Sequence, residues 1–292
     1  MKVPCADIAK LIKQDLTEHV SRLKKQSNKT PKLATILIGE SPEQLAVVAT
    51  KRKLAKDIGI EFDLVHLKTE PTFLQFANIL KDKAADPTVN AVTIEQPVPV
   101  TLQSDTIYNF IPVKKEIEGH RKKAEFLPPV GLTIVSLLKY IYQNTQLTTS
   151  LYPDLVKDPS FFKQTLKQKR VVLVGRGSGG GLPIAQVLSQ FRINFINVNS
   201  TTYDPEQYYK DADIIVTAAG SSGIFNAKEL KPGVVLINVG LHSEKGEIMG
   251  DYEEKDVKSI ASFYTQPKNG TVPINALFLF KNLVDAATLQ YA

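Results

Sequence analysis

Apolar positions in the first third of the chain follow two different spacings, which alternate several times. Helical spacing predicts helices at residues 5–25, 43–58 and 71–84. Short apolar runs between these helices predict strands at residues 33–40, 62–67 and 89–95. Strands that alternate with helices are typical of a mostly parallel sheet with right-handed crossover connections.

A second series of the same kind follows a polar, turn-rich stretch at residues 144–168. Its apolar runs predict strands at residues 170–175, 193–198, 212–220 and 234–240. Further helices are predicted at residues 131–143, before the stretch, and at 183–191, 204–210 and 272–290. We therefore predict an α/β protein with two domains and place a boundary at residue 144.

A glycine-rich loop lies between the strand at 170–175 and the helix that follows it. Gly175, Gly177 and Gly180 have the spacing of a dinucleotide-binding fingerprint. Glycines there allow the backbone to approach a pyrophosphate, and the N-terminus of the helix offers N–H groups to it. The pattern favours a nucleotide site; the alternative is a glycine-rich turn without a ligand.

The strand after the glycine loop ends in Val-Asn-Ser-Thr-Thr, without the acid that binds the ribose hydroxyls of NAD. Arg176, Ser200 and Thr201 are candidate partners of a 2′-phosphate, so we predict NADP, with NAD as the alternative. A solvated surface charge is the second interpretation of Arg176. Ser178 and Gly220 complete the predicted cofactor-binding set.

Composition changes this picture little. The 292 residues carry 36 Lys+Arg and 30 Asp+Glu, a net charge of +6, and the sequence pI is near 9.1. Because both signs are interspersed, we expect no nucleic-acid partner. A single cysteine, Cys5, excludes an intramolecular disulfide framework and a thiolate zinc cluster.

Two further patterns concern metals and membranes. The four histidines show no ligand spacing, so we predict no metal site. We see no apolar run of membrane-spanning length and no signal or transit peptide at the N-terminus. We therefore expect a cytoplasmic protein without a membrane partner.

Several segments occur in a specific order along nearly the whole chain: LATILIGESP, KRKLAKDIGI, ADPTVNAVTIEQPVP, KKEIEG, GRGSGGGLP, NSTT, ADIIVTAAG, KPGVVLINVG and a final helix after VP. Through them the chain resembles the bifunctional methylenetetrahydrofolate dehydrogenase/cyclohydrolase family. The resemblance implies a three-layer α/β folate domain at 1–143, completed by a returning C-terminal helix at 273–292. It also implies a Rossmann-like NAD(P) domain at 144–272, and a homodimer.

The resemblance also implies two activities. The first oxidises 5,10-methylenetetrahydrofolate to 5,10-methenyltetrahydrofolate, and the second hydrolyses that product to 10-formyltetrahydrofolate. The lysine central to hydrolysis matches Lys51, and the carboxylate that contacts the pterin matches Glu118. An amine with a lowered pKa can transfer protons near neutrality. Without the resemblance, Lys51 would be interpreted as a solvated charge on a helix.

The chain departs from the family mainly at the folate site. Val47 stands in place of a tyrosine one helical turn before the lysine, and Glu95 replaces a glutamine. An ion pair between Glu95 and Lys51 would favour the ammonium form, so we predict impaired hydrolysis. A register that brings Gln96 to the lysine would supply an amide instead. Gln96, Pro97 and Pro273 join Val47 as predicted substrate-binding residues.

Three functions are compatible with these departures. The first, which we prefer, is an NADP-dependent folate dehydrogenase whose cyclohydrolase activity is present or weakened. The second is an oxidoreductase of a non-folate substrate on the same scaffold. The third is a catalytically degenerate homologue that binds nucleotide or a protein partner. Outside the folate site, Asn238 replaces an aspartate, and Gly179 and Gly180 replace an apolar pair. Each change is interpreted either as drift or as a sign of altered function.

Overall fold

A computed structural model describes residues 1–104, 106–121, 123–143, 147–148, 151–268 and 270–292. The chain forms two compact units. We call Ile12–Pro129 with Ala276–Ala292 the N-terminal unit, and Met1–Leu11 with Val130–Asn275 the central unit. Residue 144, at which we predicted the domain boundary, lies outside the described residues.

The helices and strands agree well with the apolar spacing of the sequence. The helices are α1 Cys5–Ser27, α2 Pro42–Ile58, α3 Phe73–Ala85, α4 Pro129–Tyr142, α5 Asp158–Thr165, α6 Gly181–Gln190, α7 Glu206–Lys210, α8 Glu254–Val257 and α9 Val272–Tyr291. The strands are β1 Lys32–Ile38, β2 Glu61–Leu67, β3 Ala91–Ile94, β4 Val171–Val174, β5 Ile196–Val198, β6 Ile214–Thr217, β7 Val235–Asn238, β8 Leu241–Glu244, β9 Glu247–Gly250 and β10 Phe263–Tyr264.

The N-terminal unit is built on a parallel sheet with the strand order β2-β1-β3. From Leu33 to Ile38 every residue of β1 is buried, as expected for a central strand that is covered on both faces. The last part of α9 also belongs to this unit. Its Asn282 donates from Nδ2 to the carbonyl oxygens of Ile117 and Leu127, both at 2.9 Å. The prediction that the C-terminal helix returns to the first domain is thus confirmed.

By length and composition alone, α9 could cross a membrane. We expected no such apolar stretch, so that expectation is wrong for this helix. In the structure, 61% of its most apolar window is buried. Burial of this kind accounts for the apolar sequence, because a core helix of a globular protein needs apolar residues on most of its faces.

The central unit is built on a parallel sheet with the order β10-β7-β6-β4-β5, beside an antiparallel hairpin of β8 and β9. The sequence did not predict this hairpin, β10, α5 or α8. The hairpin strands are largely accessible and lack clear alternation. Its turn is formed by Lys245 and Gly246, both at positive φ, a conformation that suits a two-residue hairpin turn.

The central unit contains two segments that we predicted in the first domain, residues 1–11 and 130–143. The first segment extends the sheet edge: the amide of Val3 donates to the carbonyl oxygen of Tyr264 at 2.8 Å. The second is α4, which packs against α6. A Cβ on Gly131 would lie 2.4 Å from the side chain of Val187, so this contact depends on glycine.

Candidate active site

Lys51 lies on the buried face of α2. Ser41 caps this helix by accepting from the amide of Gln44, and Gly59 ends it in the left-handed conformation. The buried positions of α2 are Gln44, Val48, Lys51, Ala55 and Ile58, which have helical spacing. Lys51 is therefore directed to the core and is only 6% exposed. An ammonium group in such a place requires a charged or hydrogen-bonding partner.

That partner is Glu95, which follows the last residue of β3. The amide of Glu95 donates to the carbonyl oxygen of Ile36 at 2.9 Å and so continues the pairing with β1. The Nζ of Lys51 lies 2.5 Å from Oε1 of Glu95, and their side chains are 7% and 5% exposed. The structure thus contains the ion pair between Glu95 and Lys51 from which we predicted impaired hydrolysis.

The surroundings of Lys51 favour its charged form. Burial lowers the pKa of the Lys51 amine, but the charges of Glu95 and Glu118 and the hydrogen bond to Glu95 raise it more, so the pKa lies above its ordinary value. Lys51 is therefore an ammonium at neutral pH. It donates hydrogen bonds but has no lone pair with which to accept a proton.

Glu118 approaches this ion pair from the loop after the short 3-10 helix Val113–Lys115. Burial raises the pKa of the Glu118 carboxyl to about 8; the charge of Lys51 opposes the shift, while Glu95 and Glu116 add to it. At neutral pH this group is mostly a neutral acid. Its amide donates to Oε1 of Glu116 at 2.8 Å, so the two acids belong to one loop rather than to one face of a strand.

Gln96 points to a different partner. Its Nε2 donates to the hydroxyl of Tyr108 at 2.6 Å, and the Tyr108 ring stacks on His120 at 4.2 Å between centroids. Burial lowers the pKa of His120 to about 4, so its ring is neutral. The register therefore brings Glu95, and not Gln96, to Lys51. The sequence offered no signal for the Tyr108–His120 pair, since nothing in its spacing connects them.

The remaining predicted substrate-binding residues lie in two places. Val47, one turn before Lys51, is half-buried on α2, and Pro97 is exposed. Gln44, which we did not single out, donates from Nε2 to the carbonyl oxygen of Pro97 at 3.0 Å and so ties α2 to the end of β3. Pro273 lies in the first turn of α9, within the central unit. Its role at the folate site stays a prediction.

The glycine loop of the central unit lies between β4 and α6, as the fingerprint requires. Gly175 has φ of +110°, and a Cβ there would lie 2.3 Å from the carbonyl oxygen of Ala218. A Cβ on Gly181 would lie 2.3 Å from the carbonyl oxygen of Gly175, whereas one on Gly177 would meet no atom within 4 Å. Gly181, absent from our predicted set, is therefore a second position that packing restricts to glycine.

Most of the predicted cofactor-binding residues follow the carboxyl ends of β4 and β5, whereas Gly220 follows β6. Val174 pairs with Val198 in this register, and Arg176 and Ser200 each lie two residues further on. Both are exposed, as are Ser178, Thr201 and Gly220. A guanidinium and a hydroxyl at this edge, without a carboxylate in the strand end, fit the pyrophosphate and 2′-phosphate of NADP. Across the described part of the chain, no three His, Cys, Asp or Glu side chains converge as metal ligands.

Asn238, one of the departures in the central unit, has a structural explanation. Its Nδ2 donates to the carbonyl oxygens of Gly240 and Pro267, both at 2.9 Å, and its Oδ1 accepts from the amide of Asp251 at 2.7 Å. A carboxylate at this position would have no hydrogen to give to the two carbonyls. The amide thus satisfies a buried network that an aspartate would not.

Comparisons with known proteins agree with this arrangement. Residues 3–118 match the family model described as "Tetrahydrofolate dehydrogenase/cyclohydrolase, catalytic domain", and residues 156–291 match its "NAD(P)-binding domain". The bifunctional protein FolD of Staphylococcus carnosus is 28% identical, with 97% of this chain and 95% of that protein covered. That of Brevibacillus brevis is 27% identical, covering 97% and 96%.

The chain is also similar to solved structures of other proteins. The bifunctional FolD methylenetetrahydrofolate dehydrogenase/cyclohydrolase of Campylobacter jejuni superposes with a TM-score of 0.81 at 25% identity, over 99% of each chain. The NAD-dependent 5,10-methylenetetrahydrofolate dehydrogenase of Saccharomyces cerevisiae has a TM-score of 0.74 at 18% identity, with 99% of this chain and 97% of that chain covered. At that identity the second likeness concerns the fold alone.

Proposed function

The chain belongs to the tetrahydrofolate dehydrogenase/cyclohydrolase family, and we propose that it is an NADP-dependent methylenetetrahydrofolate dehydrogenase whose cyclohydrolase step is weakened. The N-terminal unit binds the folate and the central unit binds the dinucleotide. The observation that carries the proposal is the buried contact of 2.5 Å between Lys51 and Glu95.

The dehydrogenase step does not depend on a basic lysine. A C–H bond of the one-carbon unit breaks with its electron pair, and the hydride adds to the nicotinamide ring. The folate loses two electrons and becomes the methenyl cation, and no proton has to be accepted. Orientation of the two reactants supplies much of the catalysis of such a step. The Lys51–Glu95 pair therefore leaves this step possible.

Hydrolysis of the methenyl cation has a different requirement. Water adds to the one-carbon unit, and a group must accept a proton from that water. Lys51 is held as an ammonium, because its pKa lies above the ordinary value and Glu95 contributes both a charge and a hydrogen bond to that shift. The ammonium has no lone pair with which to accept a proton, so it cannot act as the base. Hydrolysis should therefore be slow compared with oxidation.

The preference for NADP rests on Arg176 and Ser200 at the carboxyl edge of the central sheet. The Trypanosoma brucei enzyme of this family has been solved with NADP, whereas the Saccharomyces cerevisiae enzyme is described as NAD-dependent. The residues of this chain favour the first cofactor, since no acid is present to bind an unphosphorylated ribose. The homodimer and the cytoplasmic location stay predictions from the sequence.

One assay tests the proposal. Purified protein receives 5,10-methylenetetrahydrofolate with NADP or with NAD, and the methenyl product is followed separately from the reduced nicotinamide. We expect reduced NADP to form while the methenyl product accumulates. Disappearance of the methenyl product as fast as it forms would contradict weakened hydrolysis. Absence of turnover with both cofactors would favour the non-folate oxidoreductase or the degenerate homologue.

A further inference from the structure

Carboxyl groups outnumber ammonium groups around Lys51. Glu95 contacts it directly, Glu118 lies close enough to act on the pair, and Glu116 acts on Glu118. Tyr108 and His120 complete the cluster as neutral groups, because burial raises the pKa of the phenol and lowers that of the imidazole. One ammonium group thus has two carboxyl groups close enough to act on it, those of Glu95 and Glu118.

The geometry of the ion pair leaves part of Glu95 available. Lys51 contacts Oε1 of Glu95, so the second oxygen, Oε2, is not used by this contact. The carboxylate side chain is only 5% exposed. In such a poorly hydrated position, a carboxylate attracts a second cation more strongly than it would in water.

We propose that Glu95 is the counter-charge of the methenyl cation and makes the folate site prefer this product over folates whose rings and one-carbon unit are uncharged, which we call neutral folates. This inference rests on the proposed function, since it assigns a charge preference to the same site. A glutamine at position 95 would offer only a dipole. Carboxylate and cation would attract each other in the product, but not in the uncharged substrate.

The same attraction would act during hydride transfer. As the C–H electron pair leaves for the nicotinamide, positive charge grows on the one-carbon unit and its two nitrogens. A fixed carboxylate that faces this charge lowers the energy of the transition state more than that of the neutral substrate. Glu95 would thus favour oxidation and also retain the product, while its pairing with Lys51 slows hydrolysis.

Glu118 is a second carboxyl group at this site that can become negatively charged. Its carboxyl, with a pKa of about 8, is mostly protonated before the product forms. A cation nearby lowers the pKa of a carboxyl group, so Glu118 would release its proton when the methenyl cation binds. Affinity for the cation should therefore increase as the pH rises towards 8, whereas affinity for a neutral folate should not.

The test compares two inhibitors of the dehydrogenase reaction, measured as initial rates within seconds. One is the methenyl cation and the other is neutral tetrahydrofolate. We expect Glu95→Gln to weaken inhibition by the cation about tenfold relative to inhibition by tetrahydrofolate, since one buried charge interaction is lost. Glu95→Asp should keep most of the preference. Glu61→Gln, which removes the same charge at an exposed position at the start of β2, should keep all of it.

A second variant tests the same inference, and it should change inhibition by the cation in the opposite direction. Lys51→Met removes the ammonium that competes for Glu95, so the cation should inhibit more strongly than in the wild type. This readout holds even if Glu95→Gln does not fold. An unchanged ratio of the two inhibition constants in both variants would overturn the inference. Failure of the wild type to oxidise the folate would instead overturn the proposed function.

Discussion

The ammonium of Lys51 and the carboxylate of Glu95 meet at 2.5 Å between helix α2 and the end of strand β3. Water molecules cannot replace either partner, because both side chains are almost inaccessible to solvent. Glu95 therefore helps to keep Lys51 in its ammonium form. Any change at one of them acts on the chemistry of the other.

Glu95→Gln should increase hydrolysis of the methenyl product. Without the carboxylate, burial is the largest remaining influence on Lys51 and lowers its pKa, so a fraction of the amine loses its proton and can act as a base. We expect the ratio of hydrolysis to oxidation to rise about tenfold or more, less than the roughly 10²–10⁴-fold that a fully available general base contributes, because only a fraction of the amine is deprotonated. The rates of methenyl disappearance and of NADP reduction provide the measurement.

Lys51→Met is the matched variant for that experiment. It should abolish the residual hydrolysis and affect oxidation less. If Glu95→Gln leaves the ratio unchanged, the ion pair is not what limits hydrolysis. Equal loss of both activities in Lys51→Met would show that the two steps share this side chain.

The glycine loop offers a comparison within seven residues of sequence, from Gly175 to Gly181. Gly175→Ala and Gly181→Ala should each destabilise the central unit by about 1–3 kcal/mol, the usual cost of overpacking, because the new methyl would lie 2.3 Å from a carbonyl oxygen. Gly177→Ala, where no atom lies within 4 Å, is the control. Thermal unfolding and the KM for NADP measure the effect. A Gly177 variant as unstable as the other two would contradict this account.

Periodicity and resemblance predicted the parts of the site that depend on local sequence. Lys51 has helical spacing with its buried neighbours, and the glycine loop follows a short apolar strand. The Tyr108–His120 stack was missed because it joins a residue of a short 3-10 helix, Ile107–Phe110, to a residue of a loop, without a regular spacing between them. Gly181 was missed because its closest contact is the backbone of Gly175, six residues away, and the fingerprint counts only spacing.

Register was the other point that the sequence left open. Glu95 and Gln96 are neighbours, and either could have faced Lys51. The choice depends on the last pair of strand β3: the amide of Glu95 donates to the carbonyl oxygen of Ile36, which directs its side chain to α2. Successive residues of an extended segment point to opposite sides, so Gln96 reaches Tyr108.

Arg176→Gln should change cofactor preference more than turnover. The guanidinium lies two residues beyond strand β4, next to the end of β5, where a 2′-phosphate would be bound. We expect the KM for NADP to rise about tenfold, since charge-assisted hydrogen bonds to a phosphate contribute about 1.5–3 kcal/mol. The KM for NAD should stay nearly constant, because it carries no such phosphate. Equal increases for both cofactors would assign Arg176 to the pyrophosphate instead.

Asn238→Asp should destabilise the protein even though it restores the residue typical of the family. The carboxylate would face the carbonyl oxygens of Gly240 and Pro267, which now accept from Nδ2 at 2.9 Å. Buried acceptors without a donor cost about 1–3 kcal/mol, more when a charge is introduced. Urea unfolding measures the loss, and Asn194→Asp, the same change at an exposed position, is the control. Equal stabilities of the two variants would contradict the hydrogen-bond network.

Glu118→Gln should change how stability depends on pH. The carboxyl has a pKa of about 8 in the folded protein, above its ordinary value, so between about pH 4.5 and 8 the folded state holds a proton that the unfolded state has released. Stability from this group therefore falls as the pH rises through that window and is constant above it.

The glutamine variant lacks this proton. Relative to the wild type, its midpoint of thermal unfolding should rise progressively from pH 5 to pH 8 and then level off. Glu61→Gln, an exposed change of the same chemistry at the start of β2, controls for the lost charge. Parallel curves for the wild type and Glu118→Gln across this range would mean that Glu118 is ionised in the folded protein. The proton release that we propose for binding of the methenyl cation would then fail as well, because the carboxyl would have no proton to give.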